Sequence, residues 1–159
     1  MIKQELQKLI NGSMFADLGY VDAEGNPCIR KVFCTWHKGL GEHLISTNFS
    51  SKHVQALQRN GSACLYFDDT ENFKAICLNG KVIVHGEEYY KRLLWTEGDE
   101  QYYPGGIEDE DYCVLEFVAE SARCYGFGDG GSGDISQKEL AEYDETQKLK
   151  NCFGDLTAG

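Results

Sequence analysis

The chain has 159 residues, enough for one domain with a substantial core, and its longest apolar runs fall well short of the ~18 residues a membrane span needs. Its formal net charge of −11 opposes nonspecific binding to nucleic acid or to an anionic membrane, because both need a positive field. Any anionic ligand must therefore be held by a local cluster of basic groups.

The first residues, Met1 to Glu5, open a helical pattern without the apolar stretch and cleavage site of a signal peptide, so retention in the cytoplasm is expected. Ile2, Leu6, Leu9 and Ile10 recur at helical spacing, and Asn11-Gly12 stops the helix. Met14 to Val21 reads as a strand and Asp22 to Pro27 as a turn. Cys28 to Trp36 is then the returning strand of a hairpin. Leu44 to Thr47 is the next strand. Ser50 or Ser51 can cap the following helix, with Val54 and Leu57 on its buried side, and Arg59-Asn60-Gly61 ends it. Ala63 to Asp68 is a strand. Phe73 to His85 is a longer one, in which Gly80 suggests a bulge. Glu87 to Trp95 reads as a helix burying Tyr90, Leu93 and Leu94, and the acidic, glycine-rich stretch 97–111 as a loop with room for a short helix. Tyr112 to Glu120 and Ala122 to Phe127 are the last strands. Ser136 and Glu139 form a capping box that opens a weak helix with Leu140, Tyr143 and Leu149.

About six strands in hairpin-like order, with few and short helices, predict a mainly β antiparallel barrel. The helices between strands that a doubly wound fold requires are missing, as are a GxGxxG motif and a P-loop. Residues 1–150 are expected to form a single domain including the C-terminal helix, with 151–159 a flexible tail.

The seven cysteines include no CxxC pair and mostly sit in apolar runs, which reads as buried free thiols in a reducing compartment. The four histidines are scattered, and Cys34 near His37 is a weak pair, so no metal site is expected. The glycine-rich run 128–136 has the flavour of a calcium loop, but glycines stand where carboxylates should ligate, so it reads as a turn. The carboxylates at 108–111 read as solvated. Spacing suggests no Ser-His-Asp or Cys-His arrangement.

Two groups of residues carry candidate chemistry. Arg30 and Lys31 are adjacent on a strand and point to opposite faces. The arginine fork suits a phosphate or a conjugated carbonyl edge, although an exposed strand face would read the same way. Ser46-Thr47 with Ser50-Ser51-Lys52 places hydroxyls, a cation and free helix amides at one point, as a phosphate requires. A plain helix cap with a solvated lysine reads equally well. Among the aromatics, Trp95 and Tyr125 are the candidates to stack on a planar cofactor.

The chain resembles the pyridoxamine 5'-phosphate oxidase-like split-barrel flavoproteins, most of all their general stress protein 26-like branch. The resemblance runs from about Gln7 to Tyr125. It rests on the hairpin Leu18 to Pro27 leading into Arg30-Lys31-Val32, on Ser46-Thr47-Asn48 with Ser50-Ser51-Lys52, on Gln58-Arg59-Asn60 and Leu78-Asn79-Gly80-Lys81-Val82, and on Leu94-Trp95 and Tyr103-Pro104-Gly105-Gly106. It implies a six-stranded split barrel that forms a homodimer with FMN at the interface, and flavin-dependent oxidoreduction of a small substrate, with NAD(P)H a candidate donor. A non-catalytic flavin-binding stress or sensor protein is the alternative. Arg30 and Lys31 match the strand beside the flavin, where the arginine commonly reaches the phosphate, and Val32 and Phe33 line that strand. Ser46 and Thr47 match residues near the ribityl chain and ring, and Ser51 and Lys52 the phosphate contacts. Many members carry arginine where this chain has Ser51, and several a tryptophan at Tyr125. Ala75 or Ile76 stands where a glutamine or serine often meets the flavin. The C-terminal basic pocket of the vitamin-making members is replaced by an acidic, glycine-rich tail, so pyridoxamine phosphate oxidation itself is not expected.

Overall fold

In the computed structural model, which describes residues 2–128, 131–140 and 146–148, an apolar helix face and alternating strands close around one core. Helix α1 (Ile2–Asn11) lays Leu6 and Ile10 into that core. Strands β1 (Phe15–Val21) and β2 (Pro27–Phe33) form the predicted hairpin, ordered by Asp22, whose carboxylate accepts the amides of Glu24 and Asn26. The returning strand is shorter than the sequence suggests. It ends at Phe33, and a separate β3 (Trp36–Lys38) turns away to pair with β4 (Glu42–Asn48).

Helix α2 (Lys52–Arg59) follows, then β5 (Ser62–Asp69), β6 (Lys74–His85), α3 (Glu88–Leu94) and β7 (Tyr112–Phe127). The strands run β2-β1-β5-β6-β7-β4, and every pairing is antiparallel. β4 comes back beside β2 without pairing to it, so the six-stranded barrel is split at that seam. Three short strands are additions to this plan: β3, β8 (Gly131–Ile135), which pairs with β7, and β9 (Thr146–Lys148), which pairs with β3. Where the sequence shows two final strands, one continuous strand of 16 residues runs. Gly80 sits at a register shift against β7, and a Cβ there would lie 1.9 Å from the Val118 carbonyl oxygen, so glycine is required.

β7 explains how one barrel carries two apolar clusters. Cys113, Leu115 and Phe117 point into the barrel with Leu18, Leu65, Phe67, Ile76 and Leu78. Tyr112 and Val114 point the other way and pack with Leu44, Leu94 and Tyr103. α3 buries Leu94 and, unexpectedly, Lys91, while Tyr90 and Leu93 stay half-buried. The Lys91 Nζ donates to the Asp109 carbonyl at 3.0 Å and lies over the Tyr112 ring. The acidic loop contains two short 3-10 turns, Asp99–Gln101 and Gly106–Glu108. The capping box forms: the Glu139 amide donates to Ser136 Oγ at 3.3 Å, opening α4 (Gln137–Leu140). Tyr143, Leu149 and the tail 151–159 lie outside the described residues. No helix among the described residues is long and apolar enough to cross a membrane.

Candidate functional site

The seam between β2 and β4 opens into a cleft of about 260 Å³. Its floor is Arg30, Lys31, Val32 and Phe33 from β2 and Ser46, Thr47 and Asn48 from β4. Thr96, Asp99, Tyr102 and Tyr103 form the opposite wall. Strand alternation sends Arg30 and Lys31 to different partners. Lys31 Nζ pairs with Asp17 at 2.7 Å across the hairpin, whereas Arg30 reaches towards α2.

There Arg30 meets His53, a residue the sequence reading left aside among the scattered histidines. Arg30 Nη1 lies 2.9 Å from His53 Nδ1, and His53 Nε2 lies 2.9 Å from Thr47 Oγ1. Burial, reinforced by the Arg30 charge, pushes His53 down to about 4, so the ring is neutral at neutral pH. Arginine can only donate, so Nδ1 accepts and the ring proton sits on Nε2, which donates to Thr47. Thr47 thereby keeps its own hydroxyl proton to offer. The Nη2 edge of Arg30 has no partner among the described residues, since Nε donates to the Lys31 carbonyl. A legible signal existed: His53 stands four residues before Leu57, on the buried side of the predicted helix.

The start of α2 differs from the expected cap. Ser51 takes the N-cap position, but its hydroxyl makes no capping bond. Ser50 is engaged elsewhere: its amide donates to Asp111 at 2.7 Å and its hydroxyl to the same carboxylate at 3.1 Å, with Asn48 Nδ2 a third donor at 3.0 Å. Led by the Ser50 amide, these bonds hold Asp111 below the usual carboxylate range. Asp111 is thus a structural acceptor that ties the acidic run to the start of α2. The amides of Val54 and Gln55 turn back to the Ser51 carbonyl, which leaves those of Lys52 and His53 without a backbone acceptor among the described residues.

Of the predicted contacts, Arg30, Lys31, Val32, Phe33, Ser46 and Thr47 line the cleft, while Ser50, Ser51 and Lys52 sit at the adjoining helix start. Trp95 and Tyr125 do not line it. Trp95 packs against Tyr103 and Tyr112, with ring centroids 6.3 and 5.5 Å away. Tyr125 lies farther along β7, its phenol hydrogen-bonded to that of Tyr66. Ala75 and Ile76 are fully buried and do not reach the cleft. The aromatic wall comes instead from Tyr102 and Tyr103. Tyr103 stacks on Tyr112 at 4.4 Å, and burial raises its phenol, with the Ser46 hydroxyl acting the other way.

A cation, neutral donors and aromatic surface line one opening, with the free amides of α2 at the adjoining helix start, a set that suits a phosphorylated planar molecule. The sequence profile described as pyridoxamine 5'-phosphate oxidase matches residues 2–125. A Clostridium acetobutylicum protein related to general stress protein 26 of B. subtilis, of the pyridoxinephosphate oxidase family, is 32% identical. That match covers 87% of this chain and 96% of the other, with a TM-score of 0.79. General stress protein 26 from Bacillus anthracis shares the fold at 15% identity over 93% of this chain and 98% of its own, with a TM-score of 0.67. A heme binding protein from Mycobacterium smegmatis shares it at 17% identity over 91% of this chain and 61% of its own, with a TM-score of 0.70. No curated protein sequence matches the chain.

Proposed function

The chain belongs to the pyridoxamine 5'-phosphate oxidase family, and on that premise we propose that the cleft between β2 and β4 binds FMN and that the protein is a flavin-dependent oxidoreductase acting on a small substrate. The observation that carries the reading is the Arg30–His53–Thr47 chain at the seam. It fixes the Arg30 guanidinium beside the free amides of α2, so that a phosphate there meets Nη2, two backbone donors and Lys52. Thr47 offers its hydroxyl proton to a carbonyl or hydroxyl of the ligand. Val32, Phe33, Tyr102 and Tyr103 supply flat apolar surface for the ring.

Bound flavin would supply hydride and electron transfer, so no catalytic triad is needed. The protein's part is to hold the phosphate, orient the ring and keep water from one of its faces. A homodimer is part of the same proposal, supported by the open cleft and by Phe15 on its rim and Ile29 on β2, which are 44% and 75% exposed. A second copy would cover these residues and close the ring in. A cytoplasmic location is part of the same reading. Haem is the weaker ligand for this cleft: both nitrogens of His53 are engaged, and His85 is held between Glu87 and Glu116 and stacked on Tyr90.

The test is uptake of FMN by the purified protein, followed through the flavin absorbance, beside the double variant Arg30→Ala/Lys52→Ala. Wild type should turn yellow with stoichiometric FMN, and the variant should stay folded and colourless. A wild type that never takes up FMN, or a variant of equal affinity, refutes the assignment. Anaerobic bleaching by NADH or NADPH, then reoxidation by candidate acceptors, separates an enzyme from a flavin-binding sensor.

A further inference from the structure

A second cluster of imidazoles lies away from the cleft, in the β3–β4 hairpin. His37 stands directly opposite His43 in the strand register, and Cys34 lies just before β3. All three side chains have no exposed surface. Phe67 flanks both rings at 5.8 and 5.6 Å.

The protons of this pair can be assigned. His43 Nε2 is 2.8 Å from the Leu40 carbonyl, which can only accept, so that nitrogen carries the proton. His43 has no exposed surface, and a second ring proton would put an unpaired charge there, so its Nδ1 is a lone pair. His37 Nδ1, 2.8 Å away, must then be the donor. His37 has no exposed surface either and is neutral for the same reason. Its Nε2 is therefore a bare lone pair, and it has no hydrogen-bond partner among the described residues.

Among the described residues only one other buried side-chain nitrogen or oxygen lacks a partner, Gln7 Oε1. Gln7 is tied to the same hairpin, because its Nε2 donates to the Gly39 carbonyl at 3.0 Å. Both unpartnered atoms are acceptors, which a cation or a donor would satisfy. A buried acceptor without a donor is costly. One donor atom each from Cys34, His37 and His43 can be chosen so that all lie within 4.8 Å of one another. For one ion to take a nitrogen from each ring, the His37–His43 hydrogen bond must open and each ring must turn a lone pair to the ion.

We propose that Cys34, His37 and His43 form a buried three-ligand site for a single soft transition-metal ion, a site separate from the cleft. One sulfur and two imidazole nitrogens suit Cu⁺ or Zn²⁺ and not Mg²⁺ or Ca²⁺. Charge favours Cu⁺ of the two: with the Cys34 thiolate it makes a centre of no net charge, whereas Zn²⁺ leaves one uncompensated positive charge in an apolar site. On binding, the thiol proton leaves to solvent as the sulfur–metal bond forms, and nothing is oxidised or reduced. The site has no opening, so the ion enters as the chain folds. Cys34-x2-His37-x5-His43 is the sequence trace of this arrangement.

The full chain is unfolded and refolded under anaerobic, reducing conditions with excess Cu⁺ in one arm and Zn²⁺ in the other, then freed of loose metal and analysed for metal per chain. Wild type should retain about one ion in at least one arm, released by a chelator only on unfolding. Refolding with Co²⁺ should give thiolate-to-metal charge-transfer absorption. Cys34→Ser and His37→Leu should each lower retained metal at least about tenfold and abolish that absorption. Leucine at 37 removes the bare nitrogen and keeps the core apolar, so this variant folds even where the serine variant does not. Folded wild type without metal in both arms overturns the proposal, and shows the space to hold water or nothing. Equal metal content in wild type and His37→Leu overturns it as well.

Discussion

The open cleft and the closed hairpin each hold an imidazole that burial keeps neutral, and they end in opposite polarity. In the cleft, a cation fixes one nitrogen of His53, the other donates to Thr47, and the chain ends in a hydroxyl proton and a guanidinium edge. In the hairpin, a carbonyl fixes His43, His43 fixes His37, and the chain ends in a bare lone pair. The first terminus suits a phosphate or a carbonyl edge, the second a cation. Which one a neutral histidine produces is decided by the residue at the far end of the chain, not by the ring.

The largest test of this contrast is titration of His53. Its ordinary value is near 6.5 and its folded value about 4. Between those values the unfolded chain binds the proton and the folded chain does not. Stability from this site is thus complete above pH 6.5, falls as the pH drops towards 4, and is constant below. The slope is up to about 1.4 kcal/mol per pH unit, near 3 kcal/mol in all. Urea denaturation across that range should show the acid loss in wild type and a shallower one in His53→Gln. Equal slopes would mean that His53 is not held neutral.

Next is Arg30→Ala, which removes the cation that defines the cleft's polarity. FMN affinity should fall about 100-fold, the worth of one or two charge-assisted hydrogen bonds. An unchanged affinity measured by fluorescence titration would detach the phosphate from this residue.

A sharper comparison sets His53→Leu against His37→Leu, both measured in metal-free protein. Leucine at 53 strands the buried Thr47 hydroxyl and removes the Arg30 contact, and should cost about 2 kcal/mol. Leucine at 37 removes an unsatisfied nitrogen and strands only the His43 lone pair, so it should be close to neutral. Equal losses on denaturation would show that the two clusters do not differ as described.

Much of this was legible in the chain. The six barrel strands, the bulge at Gly80 and the buried face of α2 follow from periodicity and glycine placement, because they are local signals. Arg30, Ser46 and Thr47 stood out by their chemistry, but that they share one site came only through the family resemblance, since nothing local says that β2 and β4 meet across an unpaired seam. His53 and His43 were not singled out. Their partners lie 23 residues away at Arg30 and across a hairpin at His37, and long-range pairing leaves no spacing rule. Trp95 and Tyr125 were misplaced for the converse reason: an aromatic ring reads the same in a core as beside a ligand. The acidic run reads as solvated from its composition, which cannot tell that Asp109 turns to the Gly105 and Asp111 amides and Asp111 to Ser50.

Asp111 gives the smallest and most particular test. Its carboxylate accepts the Ser50 amide and hydroxyl and the Asn48 amide group, pinning the loop that enters α2. It also sets a negative charge beside the point where a phosphate would meet the helix amides, so it opposes the cleft's polarity while building the cleft's geometry. Asp111→Asn separates these roles. The amide keeps one acceptor oxygen and loses the charge, so the thermal midpoint should drop slightly, by the equivalent of about 1 kcal/mol. FMN affinity should rise a few-fold, because like charge near the phosphate is gone. If affinity falls instead, loop placement outweighs charge at this site, and the amides of Lys52 and His53 hold a phosphate only where Asp111 has fixed them.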